Sequence, residues 1–158
     1  MKKGMISVLS AMTGMIFGVG MIGKMLGREM GKKQNMSDKH LALFLMMNQW
    51  VRVKQEGKSL AGHLEKKGYK TVAVYGMSYA GERLRMELKD GAITIKYAID
   101  RNAASINSDV KVVSPDDVLE NVDAVIVTSI SFIDEITDLL SEKMDCPILS
   151  LEDVLYEI

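Results

Sequence analysis

The sequence predicts an α/β protein: one parallel sheet of about five strands in the order 3-2-1-4-5, preceded by helices and by an N-terminal transmembrane helix. Three observations lead there. Thr71 to Tyr75 (TVAVY) is a short, uncharged, β-branched run of the kind buried on both faces of a sheet. It runs into a turn bracketed by Gly76 and Gly81, followed by a stretch of helix formers. Residues 4–23 form twenty consecutive residues without a charge, about the length that crosses ~30 Å of hydrocarbon at ~1.5 Å per residue.

The chain then divides into a membrane anchor with a basic flank (1–33), a helical segment (34–68) and a sheet domain (69–158). Lys2 and Lys3 flank the apolar run on one side, and Lys24, Arg28, Lys32 and Lys33 on the other. The basic excess predicts a single-pass protein with its soluble domain in the cytoplasm. A cleaved signal peptide and a helix buried in a soluble core are the alternative readings of the same stretch. Gly18-Val-Gly20-Met-Ile-Gly23 spells a dinucleotide fingerprint, but no strand ending in an acid follows it. Ser10, Gly14 and Gly18 instead recur every four residues: either a stripe through which two helices in lipid approach closely as a homodimer, or glycine tolerated where nothing selects against it.

Ser37 or Asp38 caps a helix running to about Glu56, with Leu41, Phe44, Leu45, Met47, Trp50 and Val51 on its apolar face. Asn48 interrupts that face. Gly57 ends the helix, and Ser59 caps a shorter one through Leu64 to Lys67, closed by Gly68. After the first strand, a helix is expected over Glu82 to Lys89 and a second strand over Ile93 to Ile99. Val110 to Val113 reads as a third strand, and Ser114-Pro115-Asp116-Asp117 as the start of a helical turn. Asp123 to Thr128 is a fourth strand, Phe132 to Lys143 a helix, Pro147 to Leu151 a fifth strand and Glu152 to Ile158 a terminal helix. Strands joined by helical connections imply right-handed crossovers and a parallel sheet.

Composition narrows the function classes. With 20 basic and 21 acidic residues the charge is balanced, which gives no footprint for nucleic acid. Cys146 is the only cysteine, so no intrachain disulfide forms, and it reads as a small buried hydrophobe. Two histidines, His40 and His63, far from it in sequence make a poor metal set, so no metal site is expected.

Strand, glycine turn, helix, and a second strand ending in Asp100 together make the opening unit of a Rossmann-like fold. Asp100 lies nineteen positions after Gly81, close to the spacing at which an acid reaches a nucleotide ribose. Ligands in such sheets lie at the carboxyl ends of the strands, beside the switch point between strands 1 and 4. The cofactor-binding candidates are therefore Gly76, Ser78, Gly81, Asp100, Arg101 and Thr128. Gly76 permits the tight turn, and Gly81 lets helix and strand pack closely. Ser78, at the middle position, either crowds a pyrophosphate or donates to it. Asp100 accepts from ribose hydroxyls or is an exposed strand-end acid. Arg101 neutralises a phosphate or pairs with a surface carboxylate.

The runs VAVYGMSYAGERLRMEL, YAIDRNA, VVSPDD, VDAVIVTSISFIDEI and CPILSLEDVL resemble the short Rossmann-like domains of bacterial cell-surface polysaccharide synthesis. Those domains occur beside or fused to glycosyltransferases, and are similar to the nucleotide-sugar-binding domain of some sugar acyltransferases. The resemblance covers about residues 40 to 158. It implies a nucleotide-sugar as ligand and a glycosyltransferase as partner, and NAD(P) is the cofactor of the alternative, oxidoreductase reading. Ser78 stands where that family often has glycine, and no acyltransferase repeat follows. No Tyr-x-x-x-Lys pair is present, since Tyr79 and Tyr97 each have arginine four residues on. Nor is there a Gly-x-Ser-x-Gly elbow, a Walker lysine or a His-Glu-x-x-His. The catalytic residues are therefore unknown, and a binding module is favoured over an NAD(P)-dependent oxidoreductase or epimerase subunit. A ligand-free scaffold for protein contacts is the third reading.

Overall fold

Five parallel strands in the order β3-β2-β1-β4-β5 form the sheet, as the computed structural model shows for the residues it describes, 36–158. The strands are β1 (Thr71–Tyr75), β2 (Thr94–Ile99), β3 (Val112–Val113), β4 (Ala124–Val127) and β5 (Ile148–Ser150). The helices are α1 (36–55), α2 (Leu60–Lys66), α3 (Tyr79–Leu88), α4 (Ile133–Ser141) and α5 (Leu151–Glu157). The apolar run at 4–23, the expected anchor over 1–33 and the Ser10, Gly14, Gly18 stripe lie outside the described residues. Among the described residues, no helix is long and apolar enough to cross a membrane.

β1 is the central strand. It pairs with β2 on one side and β4 on the other, with Val74 opposite Ala98 and Ile126. Its alternate side chains serve two cores, as a period of two requires. Val72 and Val74 face a layer containing α1, α2, α3 and α5, and Ala73 and Tyr75 face α4. Both β1 and β4 are nearly all buried, which their continuous apolar runs demand.

Four expectations need correction. Helix α3 begins at Tyr79 and not Glu82, because the turn after β1 closes within three residues and Ser78 takes the N-cap position. No helix joins β3 to β4. Ser114 and Asp117 do close a single turn, with the Ser114 N–H donating to Asp117 Oδ2 at 2.8 Å and the Asp117 N–H to the Ser114 carbonyl at 3.1 Å. The chain beyond is then pinned to β2: Tyr97 donates its hydroxyl to the Glu120 carbonyl at 2.6 Å, and Lys96 donates to the Asn121 carbonyl. Those anchors leave too little chain before β4 to wind a helix. The Tyr97 hydroxyl is pushed up to about 12, chiefly by burial.

The core face of α1 is also rotated from its expected position. Met46, Trp50 and Val53 are buried, whereas Leu41, Phe44, Leu45 and Val51 are exposed, Phe44 by 65%. Met46, Trp50 and Val53 keep helical spacing and pack with α2, α3 and α5. Trp50 Nε1 also donates to Glu87 Oε2 of α3 at 2.9 Å, which fixes the helix about its axis. Asn48, on the exposed side, needs no buried partner. Cys146, finally, is half-buried rather than buried, and burial still raises its thiol.

Candidate functional site

The turn after β1 is held from three sides. Gly76 has φ +93°, a left-handed conformation that glycine adopts without strain. A Cβ there would meet Thr128 Oγ1 at 2.8 Å. The Gly76 N–H donates to the Ile99 carbonyl of β2 at 2.8 Å, so the ladder runs one residue past the end of β1. Thr128, the buried residue after β4, donates its hydroxyl to the Gly76 carbonyl at 2.8 Å; the Tyr75 carbonyl lies 3.1 Å from the same oxygen. Gly81 closes the third side. A Cβ at Gly81 would lie 2.0 Å from the Gly76 carbonyl oxygen, so α3 can cross the turn this closely only with glycine there.

Asp100, at the end of β2, reaches back into this turn. Its Oδ2 accepts the Met77 N–H at 2.9 Å and its Oδ1 accepts the Asn102 N–H at 2.8 Å. Each carboxylate oxygen therefore already holds one backbone donor. Ser78 is the N-cap of α3, yet its hydroxyl makes no capping bond, and the side chain is exposed. The amides of the first turn of α3 therefore have no side-chain acceptor, and they point toward the strand ends with the positive end of the helix dipole. Arg101 Nη2 pairs with Glu135 Oε1 of α4 at 2.5 Å. The pairing with Glu135 is the main cause that raises the guanidinium, with Tyr75 next.

These residues share one cleft of about 280 Å³. Of the six expected from sequence, Gly76, Ser78, Asp100, Arg101 and Thr128 lie on its wall. Gly81 does not; it supports the wall from behind through its contact with Gly76. The structure adds Tyr75, Asn102, Ser129, Phe132 and Ile136. Asn102 and Ser129 sit next to residues already singled out. Tyr75 carried its own signal in the sequence, as the one hydroxyl-bearing ring in an otherwise aliphatic buried strand, placed directly before the glycine turn.

A larger hollow, about 530 Å³, lies between α1 and α3 and is lined by Met47, Trp50, Val51 and Met86 among others. Its one carboxylate, Glu87, is already bonded to Trp50 and Lys54. The hollow touches no strand end, so the smaller cleft has the better chemistry for a ligand. That chemistry consists of the Ser78 end of α3, which has no side-chain cap, with its hydroxyl, and the Arg101 guanidinium, a set suited to an anionic oxygen. Tyr97 donates its hydroxyl to the Glu120 carbonyl and is not on the cleft wall. Among the described residues, no group of three or more His, Cys, Asp or Glu side chains is placed to hold a metal ion. No family model, curated protein or solved structure matches this chain.

Proposed function

We propose that the chain is a membrane-tethered accessory protein of envelope polysaccharide synthesis that binds a nucleotide or nucleotide-sugar at the carboxyl edge of its sheet. One observation carries the ligand reading. Gly81 allows α3 to start against the Gly76 carbonyl, and this sets Ser78, the N-cap of a helix without a side-chain cap, on the wall of a cleft at the switch point of a parallel sheet. At about 280 Å³ the cleft lies near the bottom of the ~300–1,000 Å³ range of small-molecule sites. It suits the phosphate and sugar portion of one nucleotide better than a whole dinucleotide. Tethering rests on the uncharged run at 4–23, and the polysaccharide context and glycosyltransferase partner rest on the resemblance of residues 40 to 158.

The full chain in detergent, titrated with UDP-glucose, UDP, NAD and NADP, tests this reading. A UDP-sugar should raise the melting temperature more than NAD does, by the equivalent of about 2.7 kcal/mol at a hundred times its dissociation constant. Absence of any shift at millimolar concentration would overturn it. Placement is tested separately: the chain should sediment with membranes and resist extraction by high salt.

A further inference from the structure

The Tyr75 side chain is turned toward α4 and walls the cleft together with Phe132 and Ile136. It is only 5% exposed, and its hydroxyl, fully shielded from solvent, has no hydrogen-bond partner. A buried hydroxyl without a partner destabilises the free protein, and such groups call for an explanation. Arg101 approaches the phenol oxygen closely enough to be raised by it, but a guanidinium only donates, so the Tyr75 O–H is left without an acceptor.

Arg101 is itself held only loosely. Its partner Glu135 lies on α4, and the two side chains are 60% and 59% exposed. Pairs this open contribute little to stability, so another anion can replace the carboxylate at small cost. Asp100, the other charge on this side of the cleft, is taken up by two backbone N–H groups.

Resting on the nucleotide reading of the same cleft, we infer that Tyr75, Arg101 and Glu135 form an exchangeable anion subsite. A phosphoryl oxygen of the ligand displaces the Glu135 carboxylate from Arg101 and accepts the buried Tyr75 hydroxyl. Glu135 then acts as a place-holder that competes with the ligand. The ligand class is a phosphorylated molecule of mononucleotide size, anchored by phosphate at this end of the cleft.

The test uses the full chain in detergent and the variants Tyr75→Phe, Arg101→Gln and Glu135→Gln. UDP and ADP serve as nucleotide probes, pyrophosphate as the bare anion and uridine as the uncharged control, all titrated by calorimetry. Tyr75→Phe and Arg101→Gln should each weaken UDP or ADP about tenfold, the loss of one hydrogen bond to a charged group. Glu135→Gln should tighten both, and uridine should not distinguish the four proteins. Without ligand, Tyr75→Phe should melt at or above the parent temperature, since it removes an unsatisfied buried hydroxyl. A lower melting temperature would mean that the hydroxyl has a structural partner, and would overturn the subsite. So would nucleotide binding that is the same in the parent and all three variants, a result that leaves the nucleotide reading standing. If the parent binds neither nucleotide, both readings fall together. Pyrophosphate binding as tight as UDP would keep the subsite and remove the nucleoside from the ligand class.

Discussion

The Asp100 carboxylate accepts the Met77 N–H at 2.9 Å, and so ties the end of β2 to the turn after β1. An acid at this position reads from sequence as a ribose acceptor, yet here it first supports the protein. Its second oxygen holds the Asn102 N–H, so one side chain shapes both the glycine turn and the chain leaving β2. Asp100→Ala should therefore destabilise the ligand-free protein by about 1–3 kcal/mol, because the part-buried Met77 donor loses its acceptor. Asp100→Asn, which keeps one acceptor oxygen, should lose less. Urea denaturation without ligand measures both. Unchanged stability in Asp100→Ala would return the residue to a ligand-only role.

Gly81 and Gly68 separate steric from conformational demands on glycine. At Gly81 the obstacle is a backbone oxygen 2.0 Å from any added Cβ, so the start of α3 would have to move. At Gly68 nothing lies within 4 Å, and only its φ of +89° opposes a side chain. Gly81→Ala should cost about 3 kcal/mol, the upper end for overpacking, and should disturb the cleft as well. Gly68→Ala should cost about 1–2 kcal/mol from its backbone alone. Equal denaturation midpoints for the two variants would show that α3 shifts at little cost.

Asp123 supplies an acid-sensitive link at the opposite end of β1. Its Oδ2 accepts the Thr71 N–H at 2.7 Å and the Lys70 N–H at 2.8 Å. The bond from Thr71, then that from Lys70, hold this carboxyl below the usual carboxylate range. A group depressed in the folded state stabilises the fold above its unfolded pKa, and that contribution is lost as pH falls through the folded value. Asp123→Asn resembles the protonated state. It should be less stable than the parent at pH 7, with the difference shrinking as the pH falls below the ordinary Asp value of about 3.9. Glu56, Glu120 and Glu157 are also depressed, so the variant retains acid sensitivity from them. A difference that is constant with pH would exclude the charge as its cause.

The sheet was legible because its signal is local. TVAVY and AVIV are apolar throughout, and strand order follows from the connections that parallel strands need. Helix α1 was harder to read because Met and Leu supply two stripes at helical spacing. Leu41, Phe44, Leu45 and Val51 compete with Met46, Trp50 and Val53, and only the partner surface of α3 and α5 decides between them. At the cleft, position along the chain was enough to bring together Gly76, Ser78, Asp100, Arg101 and Thr128. What those groups are bonded to was not legible. That Met77 occupies Asp100, or that Glu135 occupies Arg101, depends on the path of the turn and the placement of α4.

Thr128 gives the cleanest test of whether the turn is held in advance of any ligand. Its N–H continues the ladder to the Tyr75 carbonyl at 3.0 Å, while its hydroxyl lies 2.8 Å from the Gly76 carbonyl. One hydroxyl hydrogen serves one acceptor at a time, and the shorter distance favours Gly76. Thr128→Val keeps the β-branched shape and the backbone bond but removes the hydroxyl donor to that carbonyl. It should lower stability by about 1–2 kcal/mol. Thr128→Ser keeps the donor and loses one methyl, at about 0.8 kcal/mol. Stability alone separates these variants poorly, and affinity separates them better. If the hydroxyl holds the turn in its binding shape, UDP should bind Thr128→Ser as it binds the parent and bind Thr128→Val more weakly. Equal affinity in both variants would mean that Gly81 and Asp100 hold the turn without help from β4.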